Sequence, residues 1–250
     1  GTGMNLEILR YAKKKKIKVT NTKRIFDKAV ASIILSYIFM LSRGIHYSFY
    51  LKYKNKLNRN FYNNITDDFK KIFNQHILFV GYSGIAKTVT KVCHAMDMKV
   101  YAIRNKSISK KSKVKFYKLI DLKKIIRKVD YVINLLPYTN LTKNIFNKSI
   151  FNLMKKNSIF INAGRGDTVN EKDLINAIKK KKIYAAGLDV VKNEPIKYNS
   201  PLLRHQNIVI TPHIAGINND FWNDQINLLA INLKRFVKLK KLINLVDLRK

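Results

Sequence analysis

Ile77-Leu78-Phe79-Val80-Gly81-Tyr82-Ser83-Gly84-Ile85-Ala86 is the stretch that decides the fold. The apolar run Ile77 to Val80 is short, unbroken and closed by Gly81, as in a strand buried on both faces. A helix is predicted from about Ile85 to Met96. The turn between them approaches the spacing G-x-G-x-x-G, in which backbone N–H groups and a helix N-terminus meet a pyrophosphate. Gly81 holds the first position. Ser83 stands at the second, with its Cβ where the diphosphate approaches, and Ala86 at the third. The competing reading is an ordinary strand-to-helix turn.

Working outward, strand and helix alternate to the end of the chain. Lys99 to Ile103, Tyr131 to Leu136, Ser158 to Asn162, Ile183 to Val190 and Ile208 to Thr211 read as strands, the third of the six halted by Pro137. Asn170 reads as an N-cap, with Asp173 as its capping partner, opening a helix through Lys180. Strands this apolar, separated by helices, predict a parallel sheet covered on both faces. Right-handed crossovers then leave a doubly wound, Rossmann-like α/β fold. Ala29 to Leu41, interrupted by Ser32 and Ser36, is too short to span a bilayer and reads as a buried helix. Residues 61–73 read as a connection with weak helical character near its end. Phe221 to Leu239 reads as a closing helix.

The chain has 250 residues, enough for one large domain or two smaller ones. One cysteine, Cys93, excludes an internal disulfide framework and fits a reducing compartment. Fifty Lys and Arg against fifteen Asp and Glu give a formal charge of +35. Such a balance raises a polyanion partner. The lysines, however, spread along the whole chain, and the runs Lys13 to Lys16 and Lys179 to Lys182 sit at predicted helix C-termini, where the dipole favours cations. No zinc-ligand spacing and no RNP-like aromatic motif accompanies them. Compositional drift is the favoured reading, with no metal, nucleic acid or membrane expected.

Three strand ends carry chemistry. Arg165 lies in Asn162-Ala163-Gly164-Arg165-Gly166, Glu194 precedes Pro195, and His213 follows Thr211-Pro212. Arginine grips a carboxylate through two parallel hydrogen bonds. A histidine paired with a glutamate carries a proton at neutral pH. Together they supply what reduction of a 2-keto acid requires. After the second strand a carboxylate would serve the ribose 2′-OH. Arg104 and Lys106 stand there instead, either as contacts to a 2′-phosphate or as further surface cations.

The chain resembles the D-isomer-specific 2-hydroxyacid dehydrogenases, the family of glyoxylate/hydroxypyruvate reductases and phosphoglycerate dehydrogenases. The resemblance is carried by INAGRGDTVNEKDLINAIKKKKIYAAGLDVVKNEP, by PLLRHQNIVITPHIAG and by VINLLPYTNLTKNIFN. It implies Arg165 as the substrate clamp, His213 as the acid/base and Glu194 as the residue that orients it. Asp189 falls near the nicotinamide carboxamide. Gly81, Ser83, Gly84, Ile85, Arg104, Pro137, Thr142, Ala163, Gly164 and Gly216 fall along the cofactor. Gly1-Thr2-Gly3 resembles a G-x-G loop that meets the substrate carboxylate, with Thr2 and Gly3 as substrate-binding positions.

The implied protein reduces small 2-keto acids with NADP, NAD being the alternative, as an intracellular homodimer, cytoplasmic or organellar. Residues 22–218 are expected to form the dinucleotide-binding domain. Residues 1–21 and 219–250 are expected to be the remnant of an incomplete flavodoxin-like substrate domain, since the family carries further strands and helices before that G-x-G loop. The alternatives are a cofactor-sensing binding protein, like the C-terminal-binding-protein corepressors of this family, and a basic nucleic-acid-associated protein. Lys16 and either Lys181 or Lys182 stand where the family ends helices with glycine.

Overall fold

The computed structural model describes residues 6–65, 69–104 and 112–248. In chain order it contains α1 (Leu6–Lys14), α2 (Asp27–Ser42), α3 (Ile45–Tyr53), α4 (Arg59–Asn63), β1 (His76–Val80), α5 (Gly84–Ala95), β2 (Lys99–Ile103) and β3 (Lys115–Tyr117). Then come α6 (Leu122–Ile125), β4 (Tyr131–Asn134), α7 (Lys148–Leu153), β5 (Ile159–Asn162), α8 (Glu171–Lys179), β6 (Ala185–Leu188), β7 (Ile208–Ile210) and α9 (Phe221–Val237).

The seven strands form one sheet, in the order β3-β2-β1-β4-β5-β6-β7. Every pairing is parallel. The strand order reverses between β1 and β4, which opens the crevice where doubly wound sheets bind ligands. This is the expected Rossmann-like architecture. Because side chains alternate along each strand, the sheet feeds two cores. Ile77, Phe79, Ile133, Ile159 and Ile161 pack with Ile34, Ile38 and Leu41 of α2 and Val89 and Cys93 of α5. Leu78, Val80, Val132 and Phe160 pack on the other face with Ile125, Phe151 and Leu174 from α6, α7 and α8. Full burial of each such side chain contributes about 1.5–3 kcal/mol, which explains why β1 reads as an unbroken apolar run.

Several boundaries differ from the sequence expectation. β4 ends at Asn134 rather than Leu136, because the Leu136 N–H donates to Asn134 Oδ1 at 3.1 Å instead of continuing a ladder. β6 covers only Ala185–Leu188, matched to the length of β5 beside it. The connection through residues 61–73 has its helical turn at the start, in α4, where Asn58 caps the Phe61 N–H. Asn170 does cap α8, accepting from the Asp173 N–H. The Asp173 carboxylate, however, accepts from Lys148 N at 2.9 Å and so ties α8 to α7 rather than completing a capping box. The edge strand β3, three residues long, carried no readable pattern. Of the helix-ending lysines, Lys16 and Lys181 adopt the left-handed backbone, with φ of 56° and 51°.

The chain divides into two compact units, Val30–Ala215 and Gly1–Ala29 with Gly216–Lys250. In the smaller unit Thr20 and Leu245 form an antiparallel bridge, and Phe26 stacks on Phe221 at 5.1 Å. Along α9, Trp222, Ile226, Leu229, Leu233 and Phe236 form an exposed stripe at helical spacing. Among the described residues no single helix is long and apolar enough to cross a membrane.

Candidate active site

The turn after β1 leads directly into α5. Gly81 holds φ +97°, and a Cβ there would lie 3.0 Å from the Leu135 carbonyl carbon and oxygen across the switch point. Only glycine tolerates both conditions. Ser83 is exposed at the N-cap of the twelve-residue helix α5, and its side chain makes no cap hydrogen bond to the first amides. Ala86, fully buried, lets α5 approach the sheet. These features fit a dinucleotide pyrophosphate at a helix N-terminus. Arg104, at the end of β2, is half-buried, and its N–H donates to the Tyr117 carbonyl of β3. Lys106 lies outside the described residues, as do Thr2 and Gly3.

The loop after β4 carries Pro137 and Thr142. The Thr142 hydroxyl donates to Pro137 O at 2.7 Å and accepts from the Thr139 N–H at 2.8 Å, so it closes this loop on itself. After β5, Ala163 and Gly164 lead to Arg165. A Cβ on Gly164 would lie 2.7 Å from the Leu136 carbonyl oxygen, so the two loops pack backbone against backbone. Arg165 is half-buried, and its Nη1 donates to Gly164 O at 2.6 Å.

After β6 and β7 the chain brings Glu194 and His213 together. Glu194 Oε2 meets His213 Nδ1 at 2.6 Å, while its Oε1 accepts from the Val191 N–H at 3.1 Å. The carboxylate is thus held from its own loop while it orients the ring. With Nδ1 engaged, Nε2 is the nitrogen left to exchange a proton. Roughly half of the His213 side chain, 51 %, is exposed.

Asp189, 3 % exposed, organises the turn that carries this histidine. Its carboxylate accepts from Thr211 Oγ1 at 2.6 Å, from Ile214 N at 3.0 Å and from Ala215 N at 3.1 Å. Its carbonyl accepts from the His213 N–H at 2.9 Å. Tyr37 of α2 completes the chain by donating to Thr211 Oγ1 at 2.7 Å, since the threonine proton is already committed to Asp189. Sequence reading did not single out Tyr37, Thr211, Asn134 or Thr168 as site residues. Asn134 and Asn162, paired in register at the ends of two adjacent apolar strands, were the legible signal. Gly216 belongs to the smaller unit, beside Phe26.

A separate hollow of about 450 Å³ is lined by Lys156, Lys179, Lys181, His205 and Tyr184 among others, and lies near residues that precede β5, β6 and β7. Desolvation, then the Lys179 ammonium, lowers the pKa of His205. The C-terminal end of α8 accounts for the lysines there.

The chain is similar to known proteins. The family model for the D-isomer specific 2-hydroxyacid dehydrogenase NAD binding domain matches residues 35–215. Glyoxylate/hydroxypyruvate reductase B of an Enterobacter species is 46% identical over 100 residues, which are 40% of this chain and 31% of that protein. The match to this curated relative thus spans about a third of its length. A D-isomer specific 2-hydroxyacid dehydrogenase from Xanthobacter autotrophicus Py2, solved in complex with NADPH and MES, superposes with a TM-score of 0.79 at 20% identity, covering 97% of each chain. D-lactate dehydrogenase with NAD+ from Lactobacillus jensenii gives 0.83 at 23% identity, covering 98% of this chain and 76% of that one. At such identities the two structures speak to fold alone, whereas the family model spans most of this chain. Through its NAD binding domain, this chain belongs to the D-isomer-specific 2-hydroxyacid dehydrogenase family.

Proposed function

We propose that the chain serves a reductase that passes hydride from a nicotinamide cofactor to the ketone of a small 2-keto acid. The observation that carries this reading is the His213–Glu194 contact at 2.6 Å, set on loops after β6 and β7 of the same sheet whose β5 loop presents Arg165. When bound, the cofactor supplies the hydride. Gly81 and the α5 amides receive its pyrophosphate. Arg165 pairs with the substrate carboxylate and withdraws electron density from the ketone. His213 releases the Nε2 proton to the forming alkoxide, and Glu194 holds the ring through Nδ1 and stabilises its charge. Asp189 holds the turn beneath. We read the smaller unit as part of the substrate domain, its exposed α9 stripe being the kind of surface that packs against further apolar elements. A homodimer belongs to the same reading.

The cofactor named with the Lactobacillus structure is NAD+ and that named with the Xanthobacter structure is NADPH. For this chain Arg104, in the place of the ribose-binding acid, favours NADPH. The test of the reading is steady-state reduction of glyoxylate and hydroxypyruvate by the wild type, Arg165→Ala and His213→Ala. Each substitution is expected to lower kcat/KM by at least about 10²-fold with circular dichroism unchanged. Losses under about tenfold would remove the residue from the mechanism. A wild type that binds cofactor without turnover would favour the cofactor-sensing alternative.

A further inference from the structure

Beneath Arg165 lies a polar cluster inside an apolar sheet. Asn134, Asn162 and Thr168 are 0%, 1% and 0% exposed. Asn134 ends β4, in register with Val80 of β1 on one side and Asn162 of β5 on the other. Its amide nitrogen donates to Asn162 Oδ1 at 2.9 Å and to Thr168 Oγ1 at 2.7 Å, and its Oδ1 accepts from Leu136 N at 3.1 Å. Each of those partners then acts on the loop that carries Arg165. Thr168 Oγ1 donates to the Arg165 carbonyl at 2.6 Å, and Asn162 Nδ2 donates to the same oxygen at 3.2 Å. Asn162 Oδ1 also accepts from Gly164 N at 3.1 Å.

The direction of these bonds is determined from the hub. Because Thr168 Oγ1 receives a proton from Asn134, its own proton is free for Arg165 O. Because Asn162 Oδ1 receives the other Asn134 proton, its NH2 group faces Arg165 O. Leu136, whose N–H Asn134 holds, has its carbonyl against Gly164. One buried amide therefore sets both loops that flank Arg165. A buried amide persists in such a place only when all of its hydrogen bonds are made.

From this geometry, and resting on the function proposed above, we propose that Asn134 is a positioning residue for Arg165, acting through Asn162 and Thr168 without touching substrate or cofactor. Asn134→Asp keeps the shape and the acceptor for Leu136 N but removes both donors. Thr168→Val removes the hydroxyl, and Thr168→Ser restores it. Sheet packing alone would make Thr168→Val harmless, since the two side chains have nearly the same shape.

The deciding measurements are amide hydrogen exchange across residues 163–169 and the KM for hydroxypyruvate. Exchange in 163–169 is expected to quicken about tenfold or more in Asn134→Asp and Thr168→Val, with β2 and β3 unchanged and Thr168→Ser close to wild type. KM is expected to rise about tenfold or more in the same two variants and to stay near wild type in Thr168→Ser. Wild-type exchange and KM in a folded Asn134→Asp protein would overturn the proposal. So would Thr168→Ser behaving as Thr168→Val does. Should the wild type show no turnover, the proposed reaction fails, and the exchange data alone decide whether Asn134 holds the loop.

Discussion

His213 adopts a left-handed backbone, φ 55°, which costs a non-glycine residue about 1–2 kcal/mol. Four bonds to Asp189 offset that cost: the His213 N–H to its carbonyl, and Thr211, Ile214 and Ala215 to its carboxylate. The positive φ aims the imidazole at Glu194. The aspartate therefore shapes the His213–Glu194 contact from the backbone side, as the glutamate does from the ring side. Arg104 poses a different question at the same scale, since its value lies in charge rather than in backbone form. Replacing it by Asp supplies the carboxylate that a ribose 2′-OH would use and repels a 2′-phosphate. The ratio of kcat/KM for NADPH to that for NADH is expected to fall by at least about tenfold in Arg104→Asp, as loss of one charge-assisted contact implies. An unchanged ratio would show that Arg104 is a surface cation.

Gly166 shows how loops on adjacent strands are locked together. A Cβ at this position would lie 2.0 Å from both the carbonyl carbon and oxygen of Val191, an approach that backbone atoms cannot relieve by rotating. Val191 is also the residue whose N–H holds Glu194. The Arg165 loop and the Glu194 loop therefore touch through bare backbone. Gly166→Ala is expected to destabilise the protein by about 1–3 kcal/mol or more, read from the denaturant midpoint, and to depress catalysis more than stability alone explains. A wild-type midpoint would show that the loops separate freely. A second close approach lies on the other face, where Gly187 of β6 leaves room for the Tyr37 ring. That packing lets α2 reach Thr211, and burial pushes the Tyr37 phenol up to about 12, so it stays protonated as the donor.

Among the described residues one buried group stands out for its pH behaviour. His46, at the start of α3, is 6% exposed; its Nδ1 meets Met40 O at 3.4 Å, and its buried Nε2 has no hydrogen-bond partner. Burial lowers its pKa from the usual 6.5. The unfolded chain then binds a proton more readily than the folded one, so stability is complete above 6.5 and is lost as the pH falls from there toward the folded pKa. His46→Gln is expected to flatten the loss in urea midpoint between about pH 7.5 and about pH 5.5 relative to wild type. Parallel pH profiles in the two proteins would locate the acid sensitivity elsewhere. Cys93 behaves oppositely. Burial pushes its thiol up to about 12, so it acts as a core residue and not as a nucleophile.

Local pattern was enough for the parallel sheet, because strands buried on both faces must be apolar throughout, as Leu78 and Phe79 are on opposite sides of β1. It also pointed to Arg165, Glu194 and His213, because glycine flanks, Pro195 and Thr-Pro stand out in the chain itself, and the fold brings His213 and Glu194 into contact. The three-residue β3 was not legible, since one ladder of neighbours and no apolar run define it. Nor was the end of β4, which an Asn134 side chain decides by capturing its own backbone. Tyr37 reaches Thr211 across 174 residues, and Thr168 reaches Asn134 across 34. Such partners leave no periodicity in the sequence, because a hydrogen bond depends on where two atoms meet in space. The sequence alone determined the parallel sheet and the candidate side chains at its strand ends; the packed sheet decided which atoms hold each of them in place, because that depends on where distant segments meet.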